Sequence, residues 1–322
     1  MERLRVGVIG AGVIGRVHAL MLHEIARGRP GRLELSAVAD TDDDVRAQAQ
    51  AEFGFARSYD SAAALLDAGG VDAVFICTPT VFHSEAVVAA ATRGVHVFCE
   101  KPLAMSHAEA VEMVAALEAG GCHAQIGLVL RFSSVYTVMR ELLHDPAAGR
   151  PLAIVFRDDQ CFPIRGVHAS PWRADRNRSA GGTLIEHGVH DLDLLTWMFG
   201  PLRRVRACER NLAGHPGIED YVAAEIELAG GSRAQLVNVW HDMVQRPSNR
   251  RLEVFCERAF IASDEDMHGP ITWQRGDEAA TILDADEVLQ RFLTIRGAAG
   301  HPQREWFPVP YFVQDLAFVE SL

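Results

Sequence analysis

The chain reads as two domains of different class: an N-terminal doubly wound parallel α/β domain over residues 1–130, then a C-terminal α+β domain with a large open, mostly antiparallel sheet over 131–322. Three observations carry that expectation. Up to about residue 130, continuous apolar strands alternate with helical segments, the pattern of a parallel sheet covered on both faces. The first strand runs straight into a glycine turn and a helix. Beyond about residue 150, strand-like segments follow one another closely and several alternate apolar with polar residues, the pattern of an antiparallel sheet with one wet face.

Taken in order, LRVGVIG (4–10) is a buried strand, and the helix after its glycine turn runs from about Val13 to Arg27. LELSAVAD (33–40) is the next strand, with helices expected near 42–53 and 60–68. VDAVFICT (71–78) and VHVFCEKP are further apolar strands, each followed by a helix, over 81–93 and 106–120 respectively. HAQIGLVLRF (123–132) closes the set. In the second half, PLAIVFRDDQCF opens a strand and a polar loop leads to a helix from about Gly182 to Phe199. RRVRACERNL, YVAAEIELA, SRAQLVNVWHD, RLEVFCE and RAFIASDE then read as strands separated by short turns. PYFVQDLAFVESL puts Phe312, Leu316 and Val319 on one face of a terminal helix.

Composition narrows the function. At 322 residues the chain has room for two domains with real cores. A net charge of −12 argues against a nucleic-acid partner, whose phosphates need a basic surface. No window approaches 18 uncharged apolar residues, so no membrane span is expected. MERLRVGVIGAG enters a strand at once and lacks a cleavage site, so it does not read as a signal peptide. Six cysteines are scattered without a CxxC pair, several inside apolar runs, and read as reduced core residues of a cytoplasmic protein, not as a disulfide framework or zinc site.

The motif Gly10-x-Gly12-x-x-Gly15 stands in the context that gives it meaning, a strand before and a helix after. Gly10 permits the tight turn, Gly12 lets backbone approach a pyrophosphate, and Gly15 lets the helix pack on the strand. The phosphates would then sit at the helix N-terminus, among Gly10, Gly12, Val13, Ile14 and Gly15. A plain tight βα turn is the alternative. Asp40, at the tip of the second strand, favours the dinucleotide reading, because a carboxylate there would bond the adenosine ribose hydroxyls. It would also repel a 2′-phosphate, and no Arg or Lys follows within TDDD, so NAD is expected over NADP.

Ligands of such sheets lie at the carboxyl ends of the strands. CTPT (77–80) and EKP (100–102) are two such ends. A solvated strand tip would account for Glu100 and Lys101. Beside a dinucleotide, Lys101 is instead placed to donate to a substrate hydroxyl or to help move its proton. In GGTLIEHGVHDLDLLTWMFG, an ideal helix brings Glu186, His190, Asp193 and Trp197 within about 60° of one another, with Leu184, Leu192, Leu195 and Phe199 opposite and turned toward the sheet. That stripe suits proton transfer through His190, with a carboxylate to orient it. A solvated helix face is the bland alternative. A metal held by Glu186, His187 and His190 ranks lower, because no second ligand group has suitable spacing.

The glycine loop, CTPT, EKP, and the later GG followed by E-H-G-V-H-D-L-D together resemble the Gfo/Idh/MocA family, the glucose–fructose oxidoreductase and inositol dehydrogenase group. The resemblance spans nearly the whole chain. It implies a Rossmann domain followed by a large open sheet used for homodimer or homotetramer contacts, and a dehydrogenase acting on sugars or polyols. It implies that Lys101 touches substrate near the nicotinamide, with a cis bond before Pro102, and that His190 is the family's histidine. Glu186 fills the position where the family usually has Asp. Thr78, Pro79 and His83 match the strand end lining the nicotinamide ribose. Arg131 matches an arginine after the last Rossmann strand, and Trp172-Arg173 a segment closing over nicotinamide and substrate. Glu100 joins the cofactor-side candidates through the EKP motif.

The expected activity is NAD-dependent oxidation of a secondary alcohol on a sugar, inositol or related polyol. Two rivals share the fold: an NAD-using glycoside hydrolase with no net cofactor change, and a non-catalytic dinucleotide or sugar sensor. Arg165, His168, Trp172 and Arg173 lie in the loop expected to meet substrate. The two arginines there are compatible with an acidic ligand or with surface ion pairs.

Overall fold

A computed structural model describes residues 3–29, 31–165, 170–297 and 309–322; His168 lies outside the described residues. The chain divides into two units, one comprising residues up to Leu128 together with 177–180 and 311–322, the other comprising 129–176 and 181–310.

The first unit alternates strand and helix: β1 (Leu4–Ile9), α1 (Val13–Gly28), β2 (Leu33–Ala39), α2 (Asp43–Phe53), β3 (Arg57–Tyr59), α3 (Ala62–Ala68), β4 (Ala73–Ile76), α4 (His83–Ala91), β5 (His96–Cys99), α5 (His107–Ala119) and β6 (Ala124–Ile126). The strands form one parallel sheet in the order β3-β2-β1-β4-β5-β6. Their apolar runs are buried on both faces, with Val6, Val8, Val74, Phe75 and Phe98 fully enclosed, which is why they read as continuous rather than alternating. Asp42, Ser61 and Ser106 cap α2, α3 and α5 by accepting from backbone N–H groups of the first turn. The strand expected over 123–132 stops at Ile126, and Val129–Phe132 forms a 3₁₀ turn instead.

The order of strands reverses direction between β1 and β4, so their carboxyl ends open a crevice at the topological switch point. That is where the glycine loop and CTPT lie.

In the second unit, α6 (Ser134–Leu143) precedes β7 (Pro151–Cys161), and α8 (Val189–Phe199) follows; the single turn α7 (Arg176–Ser179), between them in sequence, falls mostly in the first unit, which takes 177–180. Then come β8 (Leu202–Arg210), β9 (Tyr221–Leu228), β10 (Arg233–His241), β11 (Asn249–Cys256), β12 (Ala259–Ser263), β13 (Ile271–Arg275), β14 (Thr281–Leu283) and α9 (Ala285–Ile295). The eight strands run β14-β13-β12-β11-β7-β10-β9-β8, antiparallel except that β10 pairs with β7 in parallel. Burial alternates along β10 and β11, so one face is covered and the other is wet.

The last helix, α10 (Pro310–Ser321), groups with the first unit although sequence order put it in the second domain. Its Phe318 packs edge-on against Phe75 and Phe98, at centroid distances of 5.4 and 5.7 Å. It is buried beyond the expected Phe312 and Val319, since Val313, Gln314, Asp315 and Phe318 are enclosed as well, while Leu316 is half-buried.

Candidate active site

The glycine loop is built for close approach. Gly10 has φ +90°, and a Cβ there would lie 2.9 Å from the carbonyl of Cys77; one on Gly15 would lie 1.9 Å from the Gly10 carbonyl oxygen. A Cβ on Gly12, by contrast, would meet nothing within 4 Å, so this side of the loop is open. Gly12 is the N-cap of α1 and provides no side-chain cap, and no acid stands in the first turn. The helix end therefore keeps its N–H groups and partial positive charge for an anion. Val13 beside it is 54% exposed, and Ile14 is half-buried.

Asp40 is held next to this loop. Its Oδ2 accepts from the Ala11 amide at 2.7 Å and its Oδ1 from the Asp42 amide at 3.0 Å. On the other side of the loop, the Thr78 hydroxyl is buried and has no hydrogen-bond partner among the described residues. An open glycine turn, an uncapped helix end, an acid at the second strand tip and an orphaned hydroxyl at the β4 tip fit a dinucleotide. Sequence reasoning missed Arg46, whose guanidinium donates to the Asp40 carbonyl at 2.8 Å and to Asp43 at 2.6 Å. It lies two residues beyond TDDD.

EKP begins at the end of β5, beside CTPT at the end of β4, since Ile76 pairs with Cys99. The Glu100 amide donates to the Ile76 carbonyl at 2.9 Å, and the Lys101 amide to Glu100 Oε2 at 3.1 Å. The Lys101–Pro102 peptide is cis. Buried His83 ties the two strand ends together, its ring nitrogens 2.8 Å from the Thr78 carbonyl and 2.9 Å from the Pro102 carbonyl. Both ring nitrogens are thus engaged with backbone. Burial lowers its pKa, against the pull of those carbonyls. Pro79 stays half-buried ahead of α4.

The composition carries a further signal. Of 31 Lys and Arg residues, Lys101 is the only lysine and the other 30 (31 − 1) are arginines. A chain that uses arginine for every other basic side chain keeps an amine at this strand tip. Unlike guanidinium, an amine readily shifts its pKa and exchanges a proton near neutrality.

In the second unit the helix expected over 182–199 begins as a π turn, Leu184–Gly188, and continues as α8. The extra residue per turn changes the phase of the ideal stripe. Leu184, Leu192 and Phe199 are only half-buried, and the enclosed face is Asp191, Leu194, Leu195 and Met198. Glu219 organises the start: its carboxylate accepts from the Gly182 amide at 2.8 Å and the Leu184 amide at 3.1 Å. A Cβ on Gly182 would meet the Glu219 carbonyl oxygen at 1.8 Å, so the second glycine of GG is a close-approach position.

Glu186 is buried and accepts from Arg173 Nε at 2.9 Å, while the same guanidinium stacks 4.9 Å from the Trp172 ring centroid. The acid expected to orient His190 and the loop expected to close over substrate are therefore tied to each other. His190 is 7% exposed. Trp240 Nε1 donates to His187 Nδ1 at 2.7 Å, so that nitrogen carries no proton. Asp193 takes Arg131, whose Nε donates at 2.7 Å and whose pKa this raises. Trp197 lies 4.7 Å from the Arg140 guanidinium carbon. Arg165 pairs with Asp242 at 3.5 Å, so both loop arginines hold carboxylates of the chain itself. Among the described residues no group of three or more His, Cys, Asp or Glu side chains is arranged to hold a metal ion.

Beneath His190, buried Arg250 donates to Asp191 at 2.8 Å, Asp158 at 3.0 Å and Asp266 at 2.9 Å. Burial pushes the Asp191 carboxyl up to about 8 against the pull of Arg250, and raises Asp158 in the same way. This network fastens α8 to β7 and β11.

Fold and cradle define a dinucleotide-binding α/β enzyme carrying a second, mixed-sheet unit. Comparison with known proteins sharpens that. The NAD-binding Rossmann-fold model of the GFO/IDH/MocA oxidoreductase family matches residues 4–128, and the GFO/IDH/MocA C-terminal-domain model matches 136–262. The chain belongs to this family of NAD-binding oxidoreductases. It is 31% identical to a 1,5-anhydro-D-fructose reductase of Ensifer adhaerens, over 98% of this chain and 87% of that protein. It is 32% identical to an inositol 2-dehydrogenase of Streptomyces avermitilis, over 95% of this chain and 83% of that one. A levoglucosan dehydrogenase solved with NADH and levoglucosan shares the fold, with a TM-score of 0.84 and 19% identity over 99% of this chain and 90% of that chain.

Proposed function

We propose that the protein is an NAD-dependent dehydrogenase that oxidises a secondary alcohol of a sugar, inositol or related polyol. The observation that carries this reading is the sole lysine of the chain, held at a strand end beside the dinucleotide cradle. Relatives named as an inositol dehydrogenase and an anhydro-sugar reductase support the substrate class. The loop Gly10–Gly15 with the α1 N-terminus would hold the pyrophosphate, Asp40 the adenosine ribose, and Thr78 the nicotinamide side. Bound NAD supplies the acceptor for the hydride that leaves the carbinol carbon.

The remaining steps belong to side chains. The Lys101 ammonium donates to the substrate hydroxyl oxygen and lowers the cost of removing its proton. His190 receives that proton as general base. Glu186, anchored by Arg173, orients the histidine from the preceding turn. Lys101→Met should lower kcat by about 10²–10⁴-fold with NAD affinity retained in a fluorescence titration, and His190→Asn should do likewise. Near-normal turnover of Lys101→Met on a panel of inositols, aldoses and anhydro sugars overturns the reading.

Two features of setting belong to the same proposal. Copies associate through the open face of the eight-stranded sheet. Register places Val155, Phe255 and Phe260 on that face, with the two phenylalanine rings 5.0 Å apart. Light scattering on the purified chain tests this. Six free cysteines suit a reducing cytoplasm; among the described residues no helix is long and apolar enough to cross a membrane.

A further inference from the structure

A buried triad lies behind EKP, in the first unit. His18 of α1 is 0% exposed, with Nδ1 2.8 Å from Asp315 Oδ2 and Nε2 3.0 Å from Glu100 Oε1. Its ring packs among Phe98 at 5.0 Å, Phe75 at 5.4 Å and Tyr311 at 5.8 Å. An ionised carboxylate only accepts hydrogen bonds, so a ring between two of them carries both protons and is a cation. The other oxygen of Glu100 accepts from the Lys101 amide. Gly127 makes room for the carboxyl: a Cβ there would lie 2.4 Å from Glu100 Oε1 and 2.8 Å from its Cδ.

We propose that His18 and Asp315 are positioning residues for the strand tip, holding Glu100 so that its free oxygen fixes the Lys101 backbone and aims the side chain that follows. The chain of contacts runs Asp315, His18, Glu100, Lys101, and it brings a residue 297 positions away from His18 to the back of the catalytic lysine. This rests on the proposed role of Lys101. Without the imidazolium, the Glu100 carboxylate is buried with no countercharge from His18. It then takes a proton or turns away, and in either case its hold on the Lys101 amide weakens.

The single lysine makes the test direct. Protein grown with 13C-lysine gives one lysine side-chain set in the spectrum of the intact enzyme. Asp315→Asn and His18→Gln are expected to shift or split the Lys101 signals and to lower kcat about 10–100-fold per NAD-binding molecule, with NAD affinity unchanged. The double variant falls no further than the worse single one, because both act through Glu100. Phe318→Leu loosens the same helix without touching the triad; it should lower Tm and leave both the lysine signals and kcat as they are. If Asp315→Asn does not fold, His18→Gln carries the same measurement. The inference is overturned if the lysine signals and kcat of both triad variants match the parent, or if Phe318→Leu perturbs them equally. Lys101→Met retaining turnover strikes the functional reading instead, since the lysine signals of the triad variants do not depend on turnover.

Discussion

Replacing Arg250 by methionine removes the cation that, among the described residues, faces Asp158, Asp191 and Asp266 at 2.8–3.0 Å. Asp158 and Asp191 are both 0% exposed, so neither carboxylate is solvated from the surface. Methionine fills much of the volume, which leaves electrostatics as the dominant change. Removing one partner from a buried ion pair typically costs about 3–5 kcal/mol, because the other charge stays buried and unpaired. For a unit of this size each kcal/mol moves Tm by roughly 2–4 °C, giving roughly 6–20 °C in total. Calorimetry on the purified chain should show the drop. Measured at about pH 9, where the Asp191 carboxyl with its pKa of about 8 is ionised, converting Asp158 and Asp191 to Asn in the same chain should recover most of it, since the penalty comes from orphaned charge rather than from lost volume. Activity should fall too, because Asp191 follows His190 on α8, while NAD affinity, housed in the first unit, stays constant. An Arg250→Met variant melting within about 2 °C of the parent would refute the argument.

Asp40→Ser should raise the NADP-to-NAD ratio of kcat/KM by about tenfold or more. The variant removes the carboxylate that repels a 2′-phosphate and leaves Arg46 at the same turn; an unchanged ratio measured with both cofactors contradicts that role for Asp40. Stability should depend on pH through His18, whose pKa rises from 6.5 to about 10, because Asp315 and Glu100 together outweigh the burial that opposes its charge. The folded chain binds this proton more tightly than the unfolded one, so the contribution is complete below pH 6.5 and is lost as pH rises through about 10. Asp315, raised by burial, acts with the same sign. At about 1.4 kcal/mol per pH unit the loss amounts to about 5 kcal/mol at most. Urea unfolding from pH 6 to 10 should show the slope in the parent and lose most of it in His18→Gln.

Much of the first unit is legible in the sequence, because a continuous apolar strand followed by a helix has few ways to bury itself. The glycine loop, Asp40, CTPT and EKP are local patterns, and topology alone gathers them at the carboxyl ends of neighbouring strands. The second unit is legible only in part. Its long alternating strands are readable, whereas β13 and β14 are short and the helices α6 and α9 stand between stronger signals. The phase of the 182–199 helix is misread for a definite reason: an ideal periodicity of 100° per residue does not survive a π turn. Partners far apart in sequence leave no periodic trace at all. Arg250 with Asp158, Glu219 with Gly182, and Arg173 with Glu186 are visible only once the chain is folded.

The terminal helix shows that such a contact can still leave a one-sided signal. In YFVQDLAFV an amide and an acid stand among apolar residues on every side, and both Gln314 and Asp315 are completely enclosed. A helix apolar all round is a buried helix. An acid within it therefore requires a buried donor, and a cation satisfies it best. Most cations of this chain are arginines on polar stretches, and its one lysine ends a strand. Two of the 14 histidines, His18 and His23, stand in the helix that follows the glycine loop, and of these His18 is the enclosed one. Asp315 finds that cation in α1 of the first unit, although nothing in the residues between them marks the return.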